Sequence, residues 1–100
     1  MEFRTETADG QLVVTLSEML TFDDHESFRG VVTAIVDSDA ETAVLDLSGL
    51  TMIDSAGIGM LLLANDRSAK QGKTLRLRGV QGHVAKVVEL SRLEQLIPID

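Results

Sequence analysis

The segment with the greatest chemical potential is Met52–Leu63, MIDSAGIGMLLL. Asp54 and Ser55 put a carboxylate beside a hydroxyl where an apolar strand turns into a helix. A serine there can be a nucleophile, a site of modification or a helix cap. A nucleophilic serine needs a base and an orienting acid. The nucleophile elbow reads G-x-S-x-G, whereas this chain has I-D-S-A-G, with Asp54 next to the serine and no glycine ahead of it. The only histidines, His25 and His83, fall in the first turns of two other helices, and neither has a metal-like partner four residues on. They read as ordinary surface or half-buried side chains. Gly57-x-Gly59 is too short for a dinucleotide fingerprint, and no glycine-rich loop ends in Lys-Ser/Thr to cradle a phosphate. The residues therefore point away from catalysis, and they call for no metal and no cofactor.

Asp and Ser are preferred N-caps, worth about 1 kcal/mol, and capping is the ordinary reading of the pair. The glycines behind it are not explained by capping. Each costs about 1 kcal/mol relative to alanine in a helix interior. Small residues around a hydroxyl (Ala56, Gly57 and Gly59) leave the backbone bare and Ser55 reachable by a partner or a kinase. On a helical wheel Ile58, Leu61, Leu62 and Ala69 gather toward the sheet, with Asn65 on the same side. Met60, Leu63 and Arg67 fall opposite and suggest an apolar docking patch on the outer face. Thr51 is the other hydroxyl nearby and reads as a loop threonine.

The elements that position this segment follow from periodicity. Residues 2–7 (EFRTET) and 11–16 (QLVVTL) read as strands joined by an Asp9-Gly10 hairpin turn. Thr21 can cap a helix, with Asp24 three residues later favouring its positive end. Phe28, Val31, Val32, Ile35 and Val36 then recur at helical spacing as one stripe. TAVLDL (42–47) is a third strand. The helix from Ser55 ends near Gln71-Gly72, with Gly72 suited to a left-handed cap. TLRLR (74–78) alternates as a strand. A third helix runs from Gly82 to Leu93 with Val84, Val87 and Val88 inward. LIPI (96–99) fits an edge strand, because Pro98 cannot donate within a ladder. The fold expected is α/β: one domain over residues 1–100, with a mixed sheet of four to five strands and helices packed on it.

Composition narrows the partners. The chain has 100 residues, enough for one modest core, and 44% of them are apolar. Its net charge of −7 repels phosphate backbones, and three Phe with no Trp or Tyr offer no base-stacking platform, so no nucleic-acid partner is expected. There is no cysteine. No apolar run reaches the roughly 20 residues of a bilayer span, and Met1-Glu2-Phe3-Arg4 does not read as a secretory leader. A cytoplasmic protein, away from membranes and monomeric when free, is the expectation.

AVLDLSGLTMIDSAGIGMLL, GKTLRLRGV and VAKVVELSRLEQLIPI together resemble the STAS domain, specifically the bacterial anti-sigma-factor antagonists. The family signature is an apolar strand ending in Asp-Ser-(Ser/Ala)-Gly-(Leu/Ile)-Gly, and positions 54–59 match it throughout. One departure is Ser17-Glu18-Met19-Leu20-Thr21, followed by FDDHESF, where many relatives carry Gly-x-Leu-Asp/Thr. The resemblance implies that Ser55 is phosphorylated by an anti-sigma factor that is itself a serine kinase. It also implies that the unphosphorylated form binds that kinase and that a serine phosphatase resets the switch. The surface expected to meet the partner is Asp54, Ser55, Ala56, Gly57, Gly59, Met60, Leu63 and Arg67. The alternative is a non-catalytic STAS subunit of an ABC transporter or of another signalling complex.

Overall fold

A computed structural model describes all 100 residues. Strand β1 (Glu2–Ala8) pairs antiparallel with β2 (Gln11–Leu20) through the expected hairpin. Asp9 and Gly10 both take positive φ, 55° and 78°, as a two-residue turn that matches strand twist requires. Helix α1 (His25–Asp37) leads to β3 (Thr42–Ile53), which lies parallel to β2. Helix α2 (Ser55–Lys70) leads to β4 (Thr74–Arg78), parallel to β3. Helix α3 (Gly82–Leu90) follows. The sheet order is β1-β2-β3-β4.

The two faces of the sheet follow from the period-two alternation of its strands. Leu12, Val14 and Leu16 of β2, Ala43, Leu45 and Leu47 of β3, and Leu75 and Leu77 of β4 point one way. They merge with Phe28, Val31 and Ile35 of α1, Ile58, Leu61 and Ala64 of α2, and Val84 and Val88 of α3 into one cluster of 23 buried residues. The opposite face carries the cross-strand rows Glu6-Val13-Val44-Arg76 and Arg4-Thr15-Asp46-Arg78.

Several local expectations need correction. Strands β2 and β3 run on to Leu20 and Ile53, past their alternating stretches, with register shifts between Thr15 and Ser17 and between Glu18 and Met19. Those shifts break the period-two pattern by which the strand ends are recognised. Thr51 is accordingly a strand residue, its hydroxyl donating to the Glu18 carbonyl at 3.0 Å. Thr21 does not cap α1 with its hydroxyl. Asp24 Oδ2 accepts from the Thr21 N–H (2.9 Å) and hydroxyl (3.1 Å) across a 3₁₀ turn at Phe22–Asp24, and the α-helix starts at His25. Helix α3 stops at Leu90, because Arg92 turns left-handed (φ 54°) and Leu93–Gln95 form a 3₁₀ turn. The 96–99 segment makes a single parallel bridge, Leu77 to Ile99, with the Pro98 carbonyl accepting from the Leu77 N–H at 2.9 Å. The expected fifth strand is thus one bridge long.

Candidate functional site

Parallel strands β2 and β3 end side by side at Leu20 and Ile53, and α2 starts immediately beyond. Asp54 fills the junction with extended backbone (φ −112°, ψ −176°). Its Oδ1 accepts from the Gly57 N–H at 2.8 Å, which caps α2. Its Oδ2 accepts from the Phe22 N–H at 3.2 Å, which ties the segment after β2 to the same helix end. The Asp54 N–H donates to the Leu20 carbonyl at 3.3 Å. One carboxylate therefore both caps the helix and joins it to the end of β2. Ser55 is exposed on the first turn of α2 and its side chain takes no part in the cap. Of the two cap candidates in the sequence, Asp54 does the capping and Ser55 presents its hydroxyl to solvent.

The two glycines behave differently. A Cβ on Gly57 would stand 2.3 Å from the Leu20 carbonyl oxygen and 2.6 Å from Ile53 Cγ1. Gly57 is buried, and its lack of a side chain lets α2 seat against the strand ends. The expectation that Gly57 opens access for a partner is corrected: it serves packing. Gly59 is exposed with nothing within 4 Å of a Cβ placed there, and no packing argument explains it.

The outer face of α2 also needs correction. Leu63 is 45% exposed and Arg67 is exposed, as expected. Met60 is only 3% exposed, because α1 packs alongside α2 and covers it. Leu62 is half-buried and Ala69 exposed, and the buried stripe continues instead through Ala64 and Ser68. Ser68 Oγ donates to the Ala64 carbonyl at 2.7 Å, which satisfies a hydroxyl otherwise stranded in the core. Asn65 Nδ2 reaches the Leu96 carbonyl at 3.4 Å.

Three apolar side chains that the sequence did not single out lie around this junction. Met19 and Met52 are Cα partners at the ends of β2 and β3 and are 46% and 43% exposed. Phe22, whose N–H is held by Asp54, is 69% exposed. Its ring meets His25 edge-on at a centroid distance of 5.2 Å, and His25 Nδ1 donates to the Phe22 carbonyl at 2.6 Å. Exposed Met19 and Phe22 fall in the SEMLTFDDHESF stretch, which the resemblance set apart from the family pattern. Helix and strand periodicity alone does not single them out. Nearby, the Met1 ammonium 2.7 Å from Oδ1 holds the Asp24 carboxyl below the ordinary range, against burial and with help from Thr21. No group of three or more His, Asp or Glu side chains is assembled to hold a metal ion. His83 stands exposed at the start of α3. No helix is long and apolar enough to cross a membrane.

Comparison with known proteins agrees with this geometry. The family model described as "Mlab, STAS domain" matches residues 3–98. A STAS-domain containing protein of Pseudomonas aeruginosa is 31% identical over 94 residues, covering 93% of this chain and 92% of that protein. BtrV of Bordetella bronchiseptica, named as a candidate anti-sigma factor antagonist, is 28% identical over 99 residues, covering 99% of this chain and 85% of BtrV. The crystal structure of an anti-sigma factor antagonist from Mycobacterium paratuberculosis superposes with a TM-score of 0.86 at 19% identity, covering 98% and 83% of the two chains. The anti-sigma factor antagonist SpoIIAA superposes in its unphosphorylated form (TM-score 0.78, 21% identity, 99% and 88% covered). It also superposes in its phosphorylated form (TM-score 0.69, 20% identity, 99% and 91% covered). At such identities the structural matches speak for the fold alone.

Proposed function

Because the chain belongs to the STAS family, whose anti-sigma-factor antagonists are non-catalytic binding modules, we propose that it is such an antagonist, controlled by phosphorylation and acting in the cytoplasm. Ser55 is the modified residue. The unphosphorylated form binds an anti-sigma factor that is itself a serine kinase, phosphorylation releases it, and a serine phosphatase resets the switch. The observation that carries this reading is the division of labour at the helix start. Asp54 makes the cap alone, which leaves the Ser55 side chain out of it and exposed on the first turn, and the same Asp54 carboxylate holds the N–H of the exposed Phe22. In this reading Asp54, Ser55, Ala56, Gly59, Leu63 and Arg67 meet the partner directly, while Gly57 and Met60 shape that surface from beneath. SpoIIAA, which shares the fold, has been solved with and without its phosphate.

The physics favours a switch of binding over a switch of fold. Phosphate adds about −1.5 to −2 charges near neutral pH. The helix dipole favours it by roughly 0.3–1 kcal/mol, and the adjacent Asp54 carboxylate opposes it by a comparable amount. Those effects nearly cancel within the domain. At an interface that covers the apolar ring of Met19, Phe22 and Met52, the dianion must be desolvated at several kcal/mol. A penalty of about 3 kcal/mol weakens binding more than a hundredfold.

The test is intact mass after incubation with ATP and lysate from the protein's own cells, beside Ser55→Ala. One added phosphate on the wild type and none on the variant supports the proposal. No phosphate under any growth condition overturns it and favours a constitutive subunit, as in a transport complex.

A further inference from the structure

Between α1 and α2 runs a groove of about 330 Å³. Phe28, Val32 and Met60 form its buried floor, and half-exposed Leu63 is its apolar wall. His25, Arg29 and Arg67 stand at its rim. No carboxylate lines it, although the chain has 16 acidic residues and a net charge of −7. Neither arginine is spent within the fold: the ion pairs are Met1 with Asp24, Lys70 with Asp66, Arg76 with Asp100, and Arg78 with Asp46. The lining residues span positions 25–32 of α1 and 60–67 of α2, about 10 Å on each helix at 1.5 Å per residue, or two helical turns.

We infer that this groove docks an acidic amphipathic helix of the partner protein, with its apolar stripe against the Leu63 wall and the floor of Phe28, Val32 and Met60, and carboxylates facing Arg29 and Arg67. Uncommitted cationic groups beside an apolar wall, on an otherwise acidic protein, complement that chemistry and repel a basic helix. The inference rests on the proposed role as a protein-binding module and is independent of the phosphorylation step. Leu63 lies eight residues beyond Ser55, about 12 Å along the helix axis. That exceeds the roughly 8 Å screening length at physiological salt. A phosphate on Ser55 is therefore screened from Leu63 and Arg67, and the phosphorylated protein keeps a weak hold on its partner through them.

The experiment is a proton–nitrogen NMR titration of the full chain with a synthetic 14-residue peptide of helical design, with leucines on one stripe and glutamates flanking it. The expected result is saturable shifts confined to residues 28–32 and 60–67. Leu63→Ala and Arg67→Glu each weaken binding about tenfold. Ser55→Asp leaves it within about twofold of wild type. The same peptide with lysines in place of glutamates gives no saturable shift. Absence of saturation, equal binding of the lysine peptide, or shifts centred on Met19 and Met52 overturns the inference. Groove signals that move with protein concentration alone also overturn it, and assign the groove to a second copy of the chain. Groove binding together with a failure of Ser55 to take up phosphate in the mass assay refutes the switch and keeps this inference; phosphorylation of Ser55 without groove binding does the reverse.

Discussion

Replacing Gly57 with alanine puts a Cβ 2.3 Å from a backbone oxygen, that of Leu20, and 2.6 Å from Ile53 Cγ1. Neither neighbour is the far end of a flexible side chain. The Leu20 carbonyl also accepts the Asp54 N–H, so pushing it away loosens the cap of α2 along with the packing. Overpacking of this kind costs about 1–3 kcal/mol, and contact with rigid backbone belongs at the upper end. The gain in helix propensity from glycine to alanine, about 1 kcal/mol, acts in the other direction. The net expectation is a loss of about 2 kcal/mol. Gly59→Ala is the internal control: it carries the same propensity gain with nothing within 4 Å of the new methyl, and is expected to stabilise by about 0.5–1 kcal/mol. Urea unfolding at pH 7 reads both, and a common slope licenses comparing the midpoints. If Gly57→Ala is as stable as Gly59→Ala, Gly57 is not a packing glycine and the account of the helix start fails.

Asp54→Ala removes acceptors from the Gly57 and Phe22 N–H groups and should destabilise by about 1–2 kcal/mol in the same assay, with Asp54→Asn keeping part of the cap; no loss on alanine substitution would contradict the role assigned to it. Burial opposes ionisation of Asp46, but the Ser48 hydroxyl (2.6 Å) and N–H (2.9 Å) and Arg78 Nε (3.0 Å) outweigh it and hold the carboxyl below its ordinary value. Its contribution to stability is therefore complete above the unfolded value of about 4 and is lost as pH falls through the lower folded value. Urea midpoints taken from pH 7 down to pH 2 should fall less steeply below about pH 4 in Asp46→Asn, and identical acid branches would refute the assignment. Phosphorylated Ser55 should leave the proton–nitrogen map of the sheet unchanged, with shifts confined to the first turn of α2 and its neighbours; wholesale shifts across β1–β4 would show a change of fold.

Periodicity made much of this architecture legible. The α1 stripe, the hairpin at Asp9-Gly10 and the alternation of TLRLR each reflect a single dominant force, burial of one face or a turn that only certain residues adopt. What stayed hidden depends on contacts distant in sequence. Met60 falls on the outward side of a helical wheel, yet α1 covers it, and no periodicity within α2 reports a neighbouring helix. Gly57 and Gly59 look alike in sequence and differ only because the Leu20 carbonyl lies beneath one of them. The ends of β2 and β3 are not legible in the sequence because register shifts interrupt the alternation. Exposed Met19 and Met52 come from two segments far apart in sequence and stand opposite each other only once the parallel strands are in register.

In the proposed switch one phosphate on Ser55 controls binding while the fold stays the same. The direct measurement is titration calorimetry of the kinase that modifies Ser55 against the unphosphorylated and the stoichiometrically phosphorylated protein, without ATP. Binding is expected to be about a hundredfold weaker for the phosphorylated form, equivalent to about 3 kcal/mol. Equal affinities for the two forms would contradict it.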